Sequence, residues 1–364
     1  MTSRSLRLEA LTGLRGLAAW LVVLYHIRLS LAGLLPAPVI DGLAKGYLAV
    51  DLFFMLSGFV LWLTYGTRLA GGEPAALGQF WWRRVARIWP LHAAVLSGFM
   101  LLAAALAFTG RDHAGYPLGE LPLHVLLVQN WGFTQTLAWN HPAWSISTEM
   151  AAYLMFPLLA LSGRRKWSTA VLAGATGLLL GGLHVVYAAT GHSSLGEAIT
   201  SLGLLRCLIE FTVGTLAARL WLKWNDTSSA PRISRLCAAA TAATLGAGLW
   251  FALPETIWVP LALLLVLLSL ALAQGPIAHW LASGPVHWLG EVSYSTYLCH
   301  FGLFIVFKLL FVGPDLQLGG WQLAGFIGLL AVVSGLSHAL IELPAQRALN
   351  ALPSRLTRQR PLPG

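Results

Sequence analysis

Arg15 and His26 stand eleven residues apart inside the first long apolar run of this chain, Leu11 to Leu31. At about 100° per residue, eleven helical steps return to within roughly 20° of the same face. The two side chains would therefore share one stripe of one helix, separated by roughly 16 Å along its axis. A central arginine costs about 2.5–3.5 kcal/mol on membrane-insertion scales, so the pair calls for a compensating role. An imidazole with an unperturbed pKa of about 6.5 can take a proton from a hydroxyl at neutral pH. A guanidinium can hold an anionic group. Locally, snorkelling from four residues inside the run also explains Arg15, and hydrogen-bonded packing also explains His26.

Four further constellations put polar groups in apolar surroundings. Asp51 sits in GYLAVDLFFMLSGF, residues 46–59. It reads either as an acid tolerated at a helix start or as a carboxylate partner to Arg15 or His26. In RRVARIWP, Arg84 and Arg87 are three residues apart and can share a helical face. They read as topology signals beside lipid phosphate, or as a bidentate clamp on the phosphates of a cytosolic donor. Trp144, Ser145, Ser147 and Glu149 crowd PAWSISTE, residues 142–149. Tryptophans belong at membrane interfaces for amphipathic reasons alone, but such a cluster could also stack on and hydrogen-bond a sugar. In EVSYSTYLCH, Tyr294, Tyr297 and His300 recur every three residues and share a face, for packing or for a site. Arg206 and Glu210, four apart, could pair with each other, and Glu342 in IELP reads as the boundary of a span.

The elements that must carry these groups follow from composition. Of 364 residues, 57% are hydrophobic and only 10% charged, which describes a polytopic helical membrane protein. Ten spans are expected, near 11–31, 46–66, 88–109, 143–162, 168–190, 199–222, 234–252, 256–274, 293–312 and 321–342. Leu121 to Trp131 is apolar but too short to cross, and reads as a re-entrant or interfacial piece. With both termini cytoplasmic, seventeen of the 23 basic residues fall inside, three outside (Arg28, Lys45, Arg111) and three within spans. The net charge of +9 thus reflects membrane topology, and no nucleic-acid partner is implied. The cysteines, Cys207, Cys237 and Cys299, lie in or beside apolar runs, against a disulfide framework. The first run lacks a cleavage pattern, so a removed signal peptide is not expected. Residues 1–343 read as one transmembrane domain. Residues 344–364 read as a basic cytoplasmic tail, disordered or lying on the membrane surface.

The chain has no CxxC, HExxH, GxxxxGK[ST] or GxSxG pattern, and no histidine is followed five residues later by aspartate. A metal centre, a P-loop, a nucleophile elbow and the HxxxxD chemistry of glycerolipid acyltransferases therefore have no support. Together the motifs resemble the acyltransferase-3 family of integral membrane O-acyltransferases. Its R-x10-H matches Arg15 and His26, and its glycine-to-LSGF segment matches residues 46–59. R-x-x-R matches Arg84 and Arg87, and WS-x-x-x-E matches Trp144, Ser145 and Glu149. SYxxYLxH matches Ser293, Tyr294, Tyr297, Leu298 and His300, and E-x-P matches Glu342 and Pro344. The six occur in family order over nearly the whole chain.

That resemblance implies a multi-pass protein of the bacterial inner membrane. It would move an acetyl or other short acyl group from cytosolic acetyl-CoA to a hydroxyl. Acceptors in the family include O-antigens, exopolysaccharides, peptidoglycan and macrolides, so a glycan or lipid-linked oligosaccharide is the expected partner, together with membrane lipids. No SGNH-type domain of the two-domain members is expected, so the chain resembles the stand-alone form of exopolysaccharide and O-antigen acetyltransferases. His26 would be the general base or, alternatively, an acetyl-carrying nucleophile. Arg15 would position the donor, Arg84 and Arg87 would bind its phosphates, and Asp51 or Glu149 would orient the imidazole. Trp144, Ser145, Tyr294, Tyr297 and His300 would contact substrate. From another class, the same buried charges could serve a flippase for a lipid-linked sugar through a proton relay. A non-catalytic subunit of a polysaccharide assembly complex is a third possibility.

Overall fold

The computed structural model describes residues 3–358, with side chains described from residue 9 to residue 352. In chain order the helices are α1 (Ser3–Ile27), α2 (Ala37–Leu43), α3 (Ala49–Leu69), α4 (Pro74–Phe108) and α5 (Leu121–Leu126). There follow α6 (Ala143–Leu161), α7 (Thr169–Ala189), α8 (Ile199–Trp224), α9 (Ala230–Trp250) and α10 (Glu255–Leu272). The last are α11 (Pro276–Leu281), α12 (Gly284–Glu291), α13 (Ser293–Phe311), α14 (Gly320–Ser337) and α15 (Leu343–Arg358). The described residues contain no strand, and the all-α polytopic bundle expected from hydropathy is the fold found.

A long helix stands at each of the ten apolar runs. Among the described residues, nine helical segments are long and apolar enough to cross a membrane. At the remaining run, 234–252, α9 falls short by composition, because Arg232, Arg235 and an Ala- and Thr-rich stretch dilute it. It nevertheless runs antiparallel along α10. Ser234 and Ser269 exchange hydroxyl-to-carbonyl hydrogen bonds of 2.9 and 3.0 Å at one end, and Gly248 lies against the Trp258 ring at the other. The segment after Leu121 forms the six-residue α5 and then irregular chain, so it is not a span.

Two boundaries differ from the hydropathy reading. The run expected from residue 88 belongs to a 35-residue helix that starts at Pro74. At about 1.5 Å per residue this helix exceeds a hydrocarbon core of about 30 Å, so its arginine-bearing start extends past the apolar window. The tail expected to be disordered or surface-lying opens as the helix α15. Its Leu, Ala, Arg and Gln residues favour helix, and the Trp82 indole N–H ties it to α4 by donating to Leu349 O at 2.8 Å. Residues 359–364 of that tail lie outside the described residues.

Lipid and interior are sorted as an apolar solvent demands. Leu101, Phe108 and Leu178 face outward, whereas Asp51, Arg206, Glu210 and Glu342 are buried within the bundle. Close backbone approach sets the two contacts that matter most for the site. A Cβ on Gly58 would fall 1.9 Å from Phe211 O, and one on Gly214 2.0 Å from Met55 O, so α3 and α8 cross backbone to backbone. A Cβ on Gly290 would lie 2.0 Å from Thr12 O, which lets α12 press its carbonyls onto α1 beside Arg15.

Candidate active site

A cavity of ≈ 430 Å³ opens between α1, α3, α4, α6 and α13. That volume falls among ordinary small-molecule sites. Phe53, Phe54, Leu61 and Ile88 contribute apolar wall, and Arg15, Arg84, Arg87, Glu149, Tyr294 and Tyr297 contribute polar wall. Seven of the residues singled out from sequence thus meet in one space, since Ser145 also lines it.

Arg15 is fixed by α12 and α13. Its Nε donates to Ser293 Oγ at 2.9 Å and its Nη2 to Gly290 O at 2.8 Å. Arg84 and Arg87 share a face of α4, as their spacing predicts, but their surroundings differ. Arg87 is ion-paired through Nη1 with Glu342 and lies 5.8 Å above the Tyr294 ring. Arg84 lies over Tyr65 and Tyr153, at 5.5 and 5.9 Å from the ring centres. Its Nε is buried with no hydrogen-bond partner among the described residues. Arg84 therefore keeps more of its charge for a ligand than Arg87 does. Glu149 accepts hydrogen bonds from Ser57 Oγ and, at 2.5 Å, from Tyr153 OH.

Tyr297 lines the cavity from α13. Its hydroxyl lies 2.7 Å from Ser145 Oγ and donates to Pro142 O at 3.1 Å, while Tyr294 OH donates to Ile88 O at 2.7 Å. Beyond Tyr297 stand two histidines. The His300 ring is 5.9 Å from the Tyr297 ring and 4.9 Å from the His26 ring. Both Arg15 and His26 therefore face α13, as their common stripe predicts, but only Arg15 lines the cavity.

The tautomers of the histidine pair follow from their partners. His300 Nδ1 faces two carbonyl oxygens, Tyr297 O at 2.7 Å and Thr296 O at 3.3 Å, so it carries the proton and Nε2 is an acceptor. That Nε2 lies 3.2 Å from His26 Nδ1, which also faces Val22 O at 2.8 Å. Two acceptors require a proton on His26 Nδ1. The lone pair on His26 Nε2 is then left free to accept a proton.

Asp51, expected beside His26 or Arg15, is elsewhere. Both of its oxygens receive the Arg206 guanidinium, Nε at 2.5 Å and Nη2 at 2.6 Å, while Arg206 Nη1 donates to Leu195 O. The pair is fully buried, with Glu210 against it. The expected Arg206–Glu210 pair is thus replaced, because α3 presents a carboxylate that meets the guanidinium bidentately. Trp144 is 8% exposed and packed between the Phe54 ring and the Arg206 guanidinium, so it forms wall more than stacking platform.

Glu342 is the residue local sequence undervalues. A π-turn over His338–Glu342 swings it inward to 1% exposure. There it meets Arg87, accepts from Ser295 Oγ at 2.8 Å and approaches His338 Nδ1 at 3.2 Å. Its place in the E-x-P motif is the one signal that marks it. Tyr153, which holds Glu149 and underlies Arg84, carries no signal beyond lying four residues after Glu149.

Comparison with known proteins adds an independent line. Residues 8–339 match the acyltransferase-3 family, described as an acyltransferase domain. The chain is 30% identical to a protein named acyltransferase MdmB of Streptomyces mycarofaciens, over 96% of this chain and 94% of that one. It is 29% identical to a putative membrane-bound transacylase, BcsY, of Komagataeibacter xylinus, over 92% of this chain and 82% of that one. It is 24% identical to a putative O-acetyltransferase of Staphylococcus aureus, SACOL0978, over 95% of this chain but 59% of that one. No solved structure matches.

Proposed function

The chain belongs to the acyltransferase-3 family, and from that premise we propose that it acetylates a hydroxyl of a cell-envelope glycan, with acetyl-CoA as donor. It does so in the cytoplasmic membrane with both termini inside, as the distribution of Arg and Lys supports. On this topology the cavity opens toward the cytosol, since Arg15, Arg84 and Arg87 lie in the inner portions of α1 and α4.

The donor enters with its acyl arm in the cavity and its phosphates at the arginines. Arg84 binds phosphate, and Arg15 neutralises the deeper part of the donor. Arg87 is held by Glu342 and shapes the wall. The thioester reaches past Tyr297 toward the histidine pair. His26 Nε2 takes the proton of the acceptor hydroxyl as its oxygen attacks the thioester carbonyl, forming the C–O bond. The C–S bond then breaks, and the proton passes from His26 to the departing thiolate. His300 Nε2 accepts the His26 Nδ1–H throughout and fixes the ring. Glu149 keeps Ser57 and Tyr153 in place and offsets the arginine charge.

The observation that carries this reading is the contact geometry of the histidine pair, Val22 O and His300 Nε2 both facing His26 Nδ1, from which an unpaired His26 Nε2 follows. Purified protein incubated with radiolabelled acetyl-CoA and candidate glycans tests it. Wild type transfers label and His26→Ala does not. Transfer by a folded His26→Ala protein would remove His26 from the chemistry.

A further inference from the structure

A second, much smaller pocket of ≈ 10 Å³ is lined by Trp144, His141 and residues of the chain between α5 and α6. That is room for one water-sized group. Three buried amides stand in its lining. Gln129, Asn130 and Asn140 are 5%, 1% and 3% exposed. Each spends its amide NH2 on a backbone carbonyl: Gln129 Nε2 on Ala143 O at 3.2 Å, Asn130 Nδ2 on Ile199 O and Asn140 Nδ2 on Leu298 O, both at 3.0 Å. Reversing any amide would set oxygen against oxygen, so the orientations are fixed. All three side-chain oxygens are left buried without a partner among the described residues. Carbonyl lone pairs cannot satisfy one another, so what fits here must donate.

The pocket is also next to the chemistry. His141 stacks on Phe301 with ring centres 4.8 Å apart, and Phe301 is the single ring between it and His26, at 5.5 Å. Asn140 is tied to α13 just before His300. His124 adds an imidazole on the pocket wall. Burial pushes it down to about 4, with His92 and His141 contributing, so at neutral pH it is an uncharged ring with one N–H and one acceptor.

We propose that this socket receives one hydroxyl of the acceptor while a more distant hydroxyl of the same ligand is presented to His26. The site therefore selects polyhydroxylated ligands, sugars in particular, over a lone alcohol. The proposal rests on the reading of His26 as the base, but the binding it predicts needs no transfer. The two can therefore fail separately. Gln129, Asn130 and Asn140 act as specificity residues, their amide oxygens sharing the one proton that the hydroxyl donates.

Saturation-transfer NMR on the full chain in detergent, with methyl hexopyranosides and cyclohexanol as probes, tests it. At least one glycoside binds, and cyclohexanol binds about tenfold more weakly. Gln129→Met and Asn140→Leu each lower glycoside affinity about two- to fivefold, a share of one net hydrogen bond, and leave acetyl-CoA affinity unchanged. His26→Ala keeps the glycoside. Glycoside and cyclohexanol binding alike, or both variants binding as wild type does, overturns the proposal. Variants that only lower the melting temperature would identify a structural water site and overturn it too. Should both variants lose acetyl-CoA binding, a deoxy series on wild type decides. One ring position must stand out in its loss of affinity, and uniform loss across positions refutes the socket.

Discussion

Replacing Asp51 separates a structural carboxylate from a catalytic one. Asp51 and Arg206 are 0% and 1% exposed and joined by two charge-assisted hydrogen bonds. Asp51→Leu leaves a guanidinium inside the bundle with Leu195 O, Glu210 and Tyr187 as its remaining polar company. Removing one partner of a buried pair costs about 3–5 kcal/mol. At roughly 2 cal/mol/K of unfolding entropy per residue, that becomes a fall of about 4–7 °C for a chain of 364 residues. Arg206→Leu falls by a similar amount. Asp51→Leu with Arg206→Leu, which removes both charges and fills the space, recovers most of the loss, because a paired ion in a dry interior is near break-even with apolar packing. Thermal unfolding of detergent-purified protein, run beside acetyl transfer, reads both quantities. The double variant keeps transfer because neither residue lines the donor cavity. A folded double variant without transfer would put Asp51 back into the reaction and refute the geometric argument.

Other consequences follow from the same contacts. His300→Gln, which keeps an acceptor near His26 Nδ1, retains most turnover, whereas His300→Phe lowers kcat about tenfold to hundredfold with the donor KM unchanged, in steady-state assays. Arg84→Ala raises the acetyl-CoA KM about tenfold, whereas Arg87→Ala chiefly lowers the melting temperature by stranding Glu342, a loss that Glu342→Gln added to it relieves. Acid also destabilises through His124, whose folded value of about 4 lies below its ordinary 6.5. The unfolded chain binds the extra proton between those values, so stability is flat above about pH 6.5 and falls toward pH 4. His124→Asn flattens that part of a melting-temperature profile, although Glu120 lies 4.0 Å from the ring.

Helix positions were legible because lipid requires long apolar runs, and the common face of Arg15 and His26 was legible because helical periodicity is local. The motif order likewise brought Ser145, Glu149, Tyr294 and Tyr297 to one cavity. What escaped depends on partners distant in sequence. Asp51 reads as a companion of the first span until Arg206 reaches it from 155 residues away. Glu342 reads as a helix end until a π-turn aims it at Arg87, 255 residues earlier. Gln129, Asn130 and Asn140 sit in irregular chain, where no periodicity announces that three buried amides line one pocket. The extended start of α4 escaped because a helix continues past the apolar window that hydropathy detects.

The central claim is that His26 Nε2 receives the acceptor's proton during transfer from acetyl-CoA. Its direct test is single-turnover acetyl transfer to a glycan by wild-type and His26→Ala protein reconstituted in vesicles, each loaded with the same bound donor. The account predicts equal donor occupancy and a transfer rate reduced at least about hundredfold in the variant. Equal occupancy with an undiminished rate would contradict it.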